Sequence, residues 1–246
     1  MVVVSFRANP KQLANLFHNA LTMAKGKPAK QPLVYLRYSW DEERSVGQLM
    51  AVGISQFSAG LDWIDVESGT PDGYAEIRVL GVQTEKTDIV DDLTKLGSAV
   101  RSTSAAQSAL VGVTIDHKMS MTVEYGEDLL GELADGDEYD LTTGMEGELG
   151  MFEKVEDMVD SINSHPKPAG PIAFNLDIIT RCKDLKITDV TTPIVDIARH
   201  PEKDLVGVAV GPRFRGVVAG IDRDGYAQGG RWFDGPGDPA HLFAAA

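Results

Sequence analysis

The sequence predicts an α+β fold made of repeated helix-plus-antiparallel-sheet units, with two domains to the chain. Three observations predict it. Amphipathic helical stretches are each followed by several runs of alternating apolar residues, the order strand, helix, several strands occurs twice before residue 141, and the same order returns over 171–223. No residue-level repeat of fixed period accompanies the duplication. With 246 residues and 43% apolar content the chain can bury a sizeable core. The expected boundaries are 1–140 for an N-terminal domain, 141–223 for a shortened C-terminal domain, and 224–246 for a Gly-, Pro- and Ala-rich flexible tail.

The first unit opens with SFRANPKQLANLFHNALTMAKGKPAK, a strand end running into a helix. Asn9 suits the N-cap, Pro10 the first helical position, and Gly26 with Pro28 the stop. Leu13, Leu16, Phe17, Ala20, Leu21 and Ala24 fall on one face. Lys11, Asn15, His18, Thr22 and Lys25 fall on the other, which carries no acid. Strands follow in PLVYLRYSW, in QLMAVGISQFSAGLDWIDVE and in YAEIRVLGV, separated by polar and Gly-Pro turns. The second unit repeats the order: KTDIVDDLTKLGSAVRS is a helix with Ile89, Val90, Leu93, Leu96 and Val100 inward, and SALVGVTIDH and MSMTVEYG are strands. FEKVEDMVDSI is a third helix with Phe152, Val155, Val159 and Ile162 on one side, and HPKPAG links it onward. The last unit begins at PIAFNLDIITRCKDL, a strand entering a helix capped near Asn175, with Leu176, Ile179, Cys182 and Leu185 inward. Three strands close it, the last two bracketing Gly211-Pro212, a strong turn signal.

Charge is polarised along the chain. The net charge is −14, yet residues 1–40 hold six cations and no acid, whereas residues 124–160 hold fourteen carboxylates against Lys154 alone. The acidic block reads as a solvated stretch that maintains solubility. A single cysteine, Cys182, excludes a disulfide framework and any CxxC metal knuckle, which fits a reducing cytoplasm. Val2–Val4 is too short for a signal segment, and no run approaches the ~20 apolar residues of a membrane span.

Signatures of chemistry are sparse. The sequence has no GxxxxGK[ST], GxSxG or HExxH motif and no EF-hand loop. His18, His117, His165, His200 and His241 are scattered without metal-ligand spacing. DGDEYD at 135–140 offers carboxylates for Mg²⁺ or Ca²⁺ but lacks the Gly turns and fixed spacing of a metal loop. Cys182 sits on an inward helical face with no partner histidine. The expectation is a protein without catalytic residues, metal or cofactor.

The stretch 171–223 resembles the terminal unit of DNA polymerase sliding clamps, the bacterial beta-clamp with its phage relatives and the proliferating-cell-nuclear-antigen type. The matching pieces are Phe174-Asn175 and Ile178-Ile179 at the helix start, Pro193-Ile194-Val195 in the next strand, and Val217 to Arg223 in the final strand. Ala219-Gly220 stands where the family has Met-Pro. The N-terminal helix, with its acid-free polar face, is similar to those lining a clamp's hole. The resemblance covers the last unit best, the first 120 residues by pattern, and the middle poorly.

That resemblance implies a non-catalytic processivity factor with two clamp-like domains, encircling double-stranded DNA without regard to sequence. It implies head-to-tail homo-oligomers, the trimer favoured over the dimer by chain length. Lys11, Lys25, Lys95, Arg101, Arg181 and Lys183 are the implied DNA-facing residues. Val218, Ala219 and Ile221, with Arg213 and Arg215 at the turn, are the implied pocket for peptides of DNA polymerase and other clamp-binding proteins. Loose phosphate contacts suit a ring that slides, because releasing many counterions would hold it in place. An acidic third helix facing DNA would repel it, so either that helix faces outward or the ring geometry differs. QLANLF at 12–17 and AHLF at 240–243 resemble clamp-binding peptides themselves, the first inside a helix where its apolar residues are expected core. The alternatives are a monomeric clamp-like regulator of replication and a metal-dependent enzyme using the acidic block.

Overall fold

The computed structural model describes residues 4–24, 33–41, 43–55, 57–66, 68–70, 74–80, 98, 110–115, 120–125, 137–140, 151–164, 180–187, 194–200 and 202–220. Twelve strands and two α-helices are seen among them. In the first 140 residues, β1 (Val4–Ala8), α1 (Pro10–Ala24), β2 (Leu33–Asp41), β3 (Val46–Ile54) and β4 (Ser58–Val66) form one unit. After the two-residue β5 (Ser68–Gly69), a second unit holds β6 (Tyr74–Leu80), β7 (Val111–Ile115), β8 (Ser120–Tyr125) and β9 (Asp137–Asp140). The helix expected over 86–102 lies outside the described residues apart from Ser98.

The two units exchange their first strands. One sheet runs β5-β1-β7-β8-β9, so β1 completes the sheet of the second unit; β6 pairs with β2 and completes that of the first. The duplication expected from the sequence therefore exists as topology, each unit closing the other's sheet edge. Its acidic piece DEYD is not loop: it is β9, paired only with β8 among the described strands. An edge strand tolerates charge because its outer side faces water.

Helix α1 begins where its chemistry dictates. Asn9 Oδ1 accepts the N–H groups of Lys11 at 3.0 Å and Gln12 at 3.2 Å, and Pro10 occupies the position where a missing donor costs nothing. Leu13, Leu16, Phe17, Ala20 and Ala24 are buried against Val34, Leu36, Leu49, Ala51 and Ile64 of β2–β4 and against Val4, Phe6, Val111 and Val113 of the other sheet. One helix thus holds both sheets, and Phe6 stacks on Tyr38 across them with ring centroids 5.4 Å apart. The approach is close enough to require glycine at residue 53, where a Cβ would run into the Ala20 carbonyl.

The last stretch joins this body rather than standing apart from it. Thr180 and Arg181 are helical and lead into a 3₁₀ turn over Cys182–Asp184. Strands β10 (Val195–Arg199), β11 (Leu205–Val210) and β12 (Phe214–Ala219) follow. Gly211, at φ 61°, makes the β11–β12 turn. Strand β12 then pairs antiparallel with β4, giving a seven-stranded sheet β10-β11-β12-β4-β3-β2-β6. Hydrogen bonding therefore crosses the expected boundary at residue 141.

Helix α2 (Met151–Ser164) packs on this sheet from the side opposite α1. In β3, Leu49 and Ala51 belong to the α1 core while Met50 and Val52 meet Phe152 and Val155 of α2. Period-two alternation makes the two helices occupy opposite faces. Gly53→Ala should destabilise the protein by about 3 kcal/mol by forcing α1 off the sheet. Urea unfolding checks this, and a loss below half that size would mean the helix shifts freely.

Candidate nucleic-acid interface

Two segments build the surface on the α1 side. Residues 183–186 run beside the second and third turns of α1, where His18 Nε2 lies 2.9 Å from the Asp184 carbonyl oxygen. Asn19, fully buried, bonds in three directions. Its Nδ2 donates to Asp62 Oδ2 at 2.7 Å and to the Lys186 carbonyl at 3.1 Å, and its Oδ1 accepts the Lys186 N–H at 2.7 Å. Asp62 also accepts the Trp63 N–H at 2.9 Å through Oδ1. Burial pushes the Asp62 carboxyl above its ordinary value; the bonds from Asn19 and Trp63 and the charges of Arg213 and Arg215 only partly oppose this. This network fixes the C-terminal segment against α1.

The structure treats the six expected DNA-facing cations differently. Lys11 and Lys183 are exposed, on α1 and on the 3₁₀ turn that adjoins it. Arg181 is a correction: Nη1 lies 3.4 Å from the Met23 carbonyl oxygen, 3.5 Å from Ser55 Oγ and 3.4 Å from Ser58 Oγ, so it ties the end of α1 to the β3–β4 turn. Lys25, Lys95 and Arg101 lie outside the described residues. Lys186 is exposed beside α1 as Lys183 is, with the exposed Asp184 between them. The polar face of α1 is also narrower than its periodicity implies, since Asn19 and Thr22 are buried under the C-terminal segment and the sheet.

For the expected peptide pocket, Val218 is a second correction. It is fully buried with Met23, Val206, Val208 and Phe214, facing α1 and not the outer surface. Ala219 is half-buried at the strand end, and Ile221 lies outside the described residues. The two arginines of the turn are structural ties. Arg215 donates to the carbonyls of Gly211, Pro212 and Phe214 and stands 5.8 Å over the Trp63 ring. Arg213 reaches Gln12 Oε1 at 3.4 Å and Asp65 at 3.6 Å.

The outer face carries the acidic helix. Arg37 of β2 projects from it, its Nη2 donating to Glu156 Oε1 at 2.6 Å and its Nη1 standing 3.6 Å from Glu153, with the guanidinium 4.6 Å above the Phe152 ring. Farther along, Ser161 Oγ and His200 Nε2 are 3.0 Å apart. This is not an activated hydroxyl. His200 Nδ1 accepts the N–H groups of Glu202 at 3.1 Å and Lys203 at 3.0 Å, which leaves the neutral ring's proton on Nε2, directed at Ser161. Cys182, half-buried beside Leu185, has its thiol pushed up by burial, away from the reactive thiolate.

A paired-unit architecture with first strands swapped between two sheets, and one helix packed against both, is that of the sliding-clamp fold. Among solved structures, the chain matches the DNA polymerase III beta subunit of Thermotoga maritima at 8% identity and a TM-score of 0.53, over 89% of this chain and 65% of that one. It matches the sliding clamp of Caulobacter crescentus at 9% identity and 0.53, over 89% and 66%. The Bacillus subtilis clamp aligns at 8% and 0.50, over 89% and 65%. The chain thus spans about 65% of the length of these clamps. No family model and no curated protein matches its sequence.

Asp62 gives this site a pH signature. A carboxyl whose folded pKa is raised carries a penalty that is full above that folded value and absent below the unfolded one, so its contribution improves as pH falls into the ordinary carboxylate range. Asp62→Asn keeps an acceptor for Asn19 and removes the titration. The stability of the native protein relative to this variant should therefore rise as pH drops from 7 to about 4, measured by urea unfolding of both at each pH. A flat difference would place Asp62 in water.

Proposed function

We propose that the chain is a DNA sliding clamp, a non-catalytic processivity factor of the cytoplasm that surrounds duplex DNA and holds replication proteins at its outer face. One observation carries this reading: on a clamp fold, the acid-free α1 and the acidic α2 lie on opposite faces of the same sheet. Lys11, Lys183 and Lys186 stand on the α1 side, where long flexible cations make phosphate contacts that exchange easily. Lys25, Lys95 and Arg101 extend the same role in this reading. The carboxylates of α2 point to the other side, where repulsion keeps nucleic acid off the outer wall. The described residues contain no helix long and apolar enough to cross a membrane.

The ring is assembled head to tail from copies of the chain, as a trimer in preference to a dimer. Strands β9 and β10 each pair on one side only among the described residues, which leaves sheet edges for such contacts. Partner peptides of polymerase and other replication proteins are received on the outer face, with Ala219 and Ile221 at its margin.

Light scattering at micromolar concentration should give three times the 26.5 kDa chain mass. A stable monomer would favour the regulator without a ring. Substituting Lys11 and Lys183 together by Ala should lower the slope of log affinity for duplex DNA against log salt by about two per chain. An unchanged slope removes both residues from the interface.

A further inference from the structure

Exposed apolar side chains among the described residues gather on one sheet edge. Ile194, Val195 and Ile197, within four residues of one another at β10, are 69%, 46% and 54% exposed. Strand β10 pairs with β11 and with no other described strand, so one side of its backbone has no strand partner among the described residues. Natural sheets blunt such an edge with charge, and β9 follows that rule with three carboxylates in four residues. Strand β10 presents large apolar side chains instead, the surface of an edge made to be paired.

The first unit shows what completes an edge of this kind. Strands β7-β8-β9 and β10-β11-β12 are two antiparallel runs in the same order. In the first, Val111 and Val113 of β7 are buried in the α1 core, and β1 pairs along the open side of β7 with Phe6 opposite Val113 and Arg7 opposite Gly112. In the second, Val195 and Ile197 stand opposite Val210 and Val208, which are buried on the α1 side of their sheet. Directly opposite residues share a face. VDIAR therefore repeats the inward positions of VGVTI, with Asp196 where β7 has Gly112. The added strand is what β7 has and β10 lacks among the described residues.

We propose that the β10 edge is a strand-addition site for an extended segment of a partner protein, apolar at alternate positions and basic between them. Its apolar side chains cover Val195 and Ile197, and its main chain pairs with the open side of β10, the source of affinity in this mode of recognition. Its base meets Asp196, which is exposed on the opposite face and has no ion pair among the described residues. Val159 and Ile162 of α2 line the same hollow as Asp196, which brings the acidic helix to that side and makes the local potential favour a cation. The inference goes beyond the clamp reading: it requires neither a ring nor DNA, and it gives this edge an occupant other than the next copy of the chain.

The probe is a fluorescein-labelled peptide of residues 2–9, VVVSFRAN, because it carries the β1 pattern and sets Arg7 opposite Asp196 when laid on β10 as β1 lies on β7. Fluorescence anisotropy with the full chain should show saturable binding. Ile197→Lys, an exposed position outside the core, should weaken it at least tenfold; Val195→Lys makes the same test should that variant fail to fold. Asp196→Lys should weaken binding about fivefold, and a probe carrying Arg7→Glu should recover the loss. Absence of saturable binding, binding indifferent to both lysine substitutions on the apolar side, or a charge exchange that recovers nothing overturns the proposal. Light scattering separates the rival occupant. A native mass that falls on Ile197→Lys gives the edge to a second copy, which overturns the proposal and leaves the ring standing, whereas an unchanged mass supports it.

Discussion

Everything in this molecule depends on a sheet that is apolar on both faces. Strands β2, β3 and β4 present Val34, Leu36, Leu49, Ala51 and Ile64 to one side and Tyr35, Met50, Val52 and Leu61 to the other. A sheet wetted on one face needs one helix; this one requires cover on both, and the chain supplies two helices of opposite character. Because side chains alternate with a period of two, a helix seated on one face cannot share residues with a helix seated on the other. The two helices therefore rest on different residues of the same strands, and the difference in charge between the sides is carried by the helices themselves.

The same constraint explains why the C-terminal hairpin belongs to the N-terminal body. Strand β12 pairs with β4, and the pairing is repeated in side chains on both sides: Asn19 ties α1 to Lys186 on the inner face, and Ser161 ties α2 to His200 on the outer. Buried polar groups placed this way impose a single register, because any slip leaves Asp62 or the Lys186 backbone unpaired. Arg181 and Arg215, which looked like surface cations, are spent on the same task through backbone carbonyls and turn hydroxyls.

How much of this was legible in the sequence follows from which interactions are local. The α1 cap, its apolar stripe, the α2 stripe and the Gly211-Pro212 turn are set by residues within a few positions of one another, and each stands where the sequence puts it. The duplication was legible as an order of elements. Exchange of β1 and β6 between the two sheets was not, since strand partners far apart in the chain, as Val4 and Ile115 are, leave no spacing to read. Val218 was misplaced for the same reason: which side of β12 faces inward is decided by its register on β4, outside its own stretch. Arg181 was misread because a solvated cation and one bonded to a helix end look alike in sequence.

Acidity acquires a structural meaning once both faces are considered. A helix with a net charge of −3 lying across a sheet face is costly to hold by apolar contact alone, since its own carboxylates repel one another. Arg37 offsets part of that repulsion from within the groove, and it does so where water is scarce enough for the attraction to count. The inner helix faces the opposite problem and solves it by omission, carrying no carboxylate at all. The two faces of one sheet thus carry helices of opposite character, α1 without a carboxylate and α2 with four.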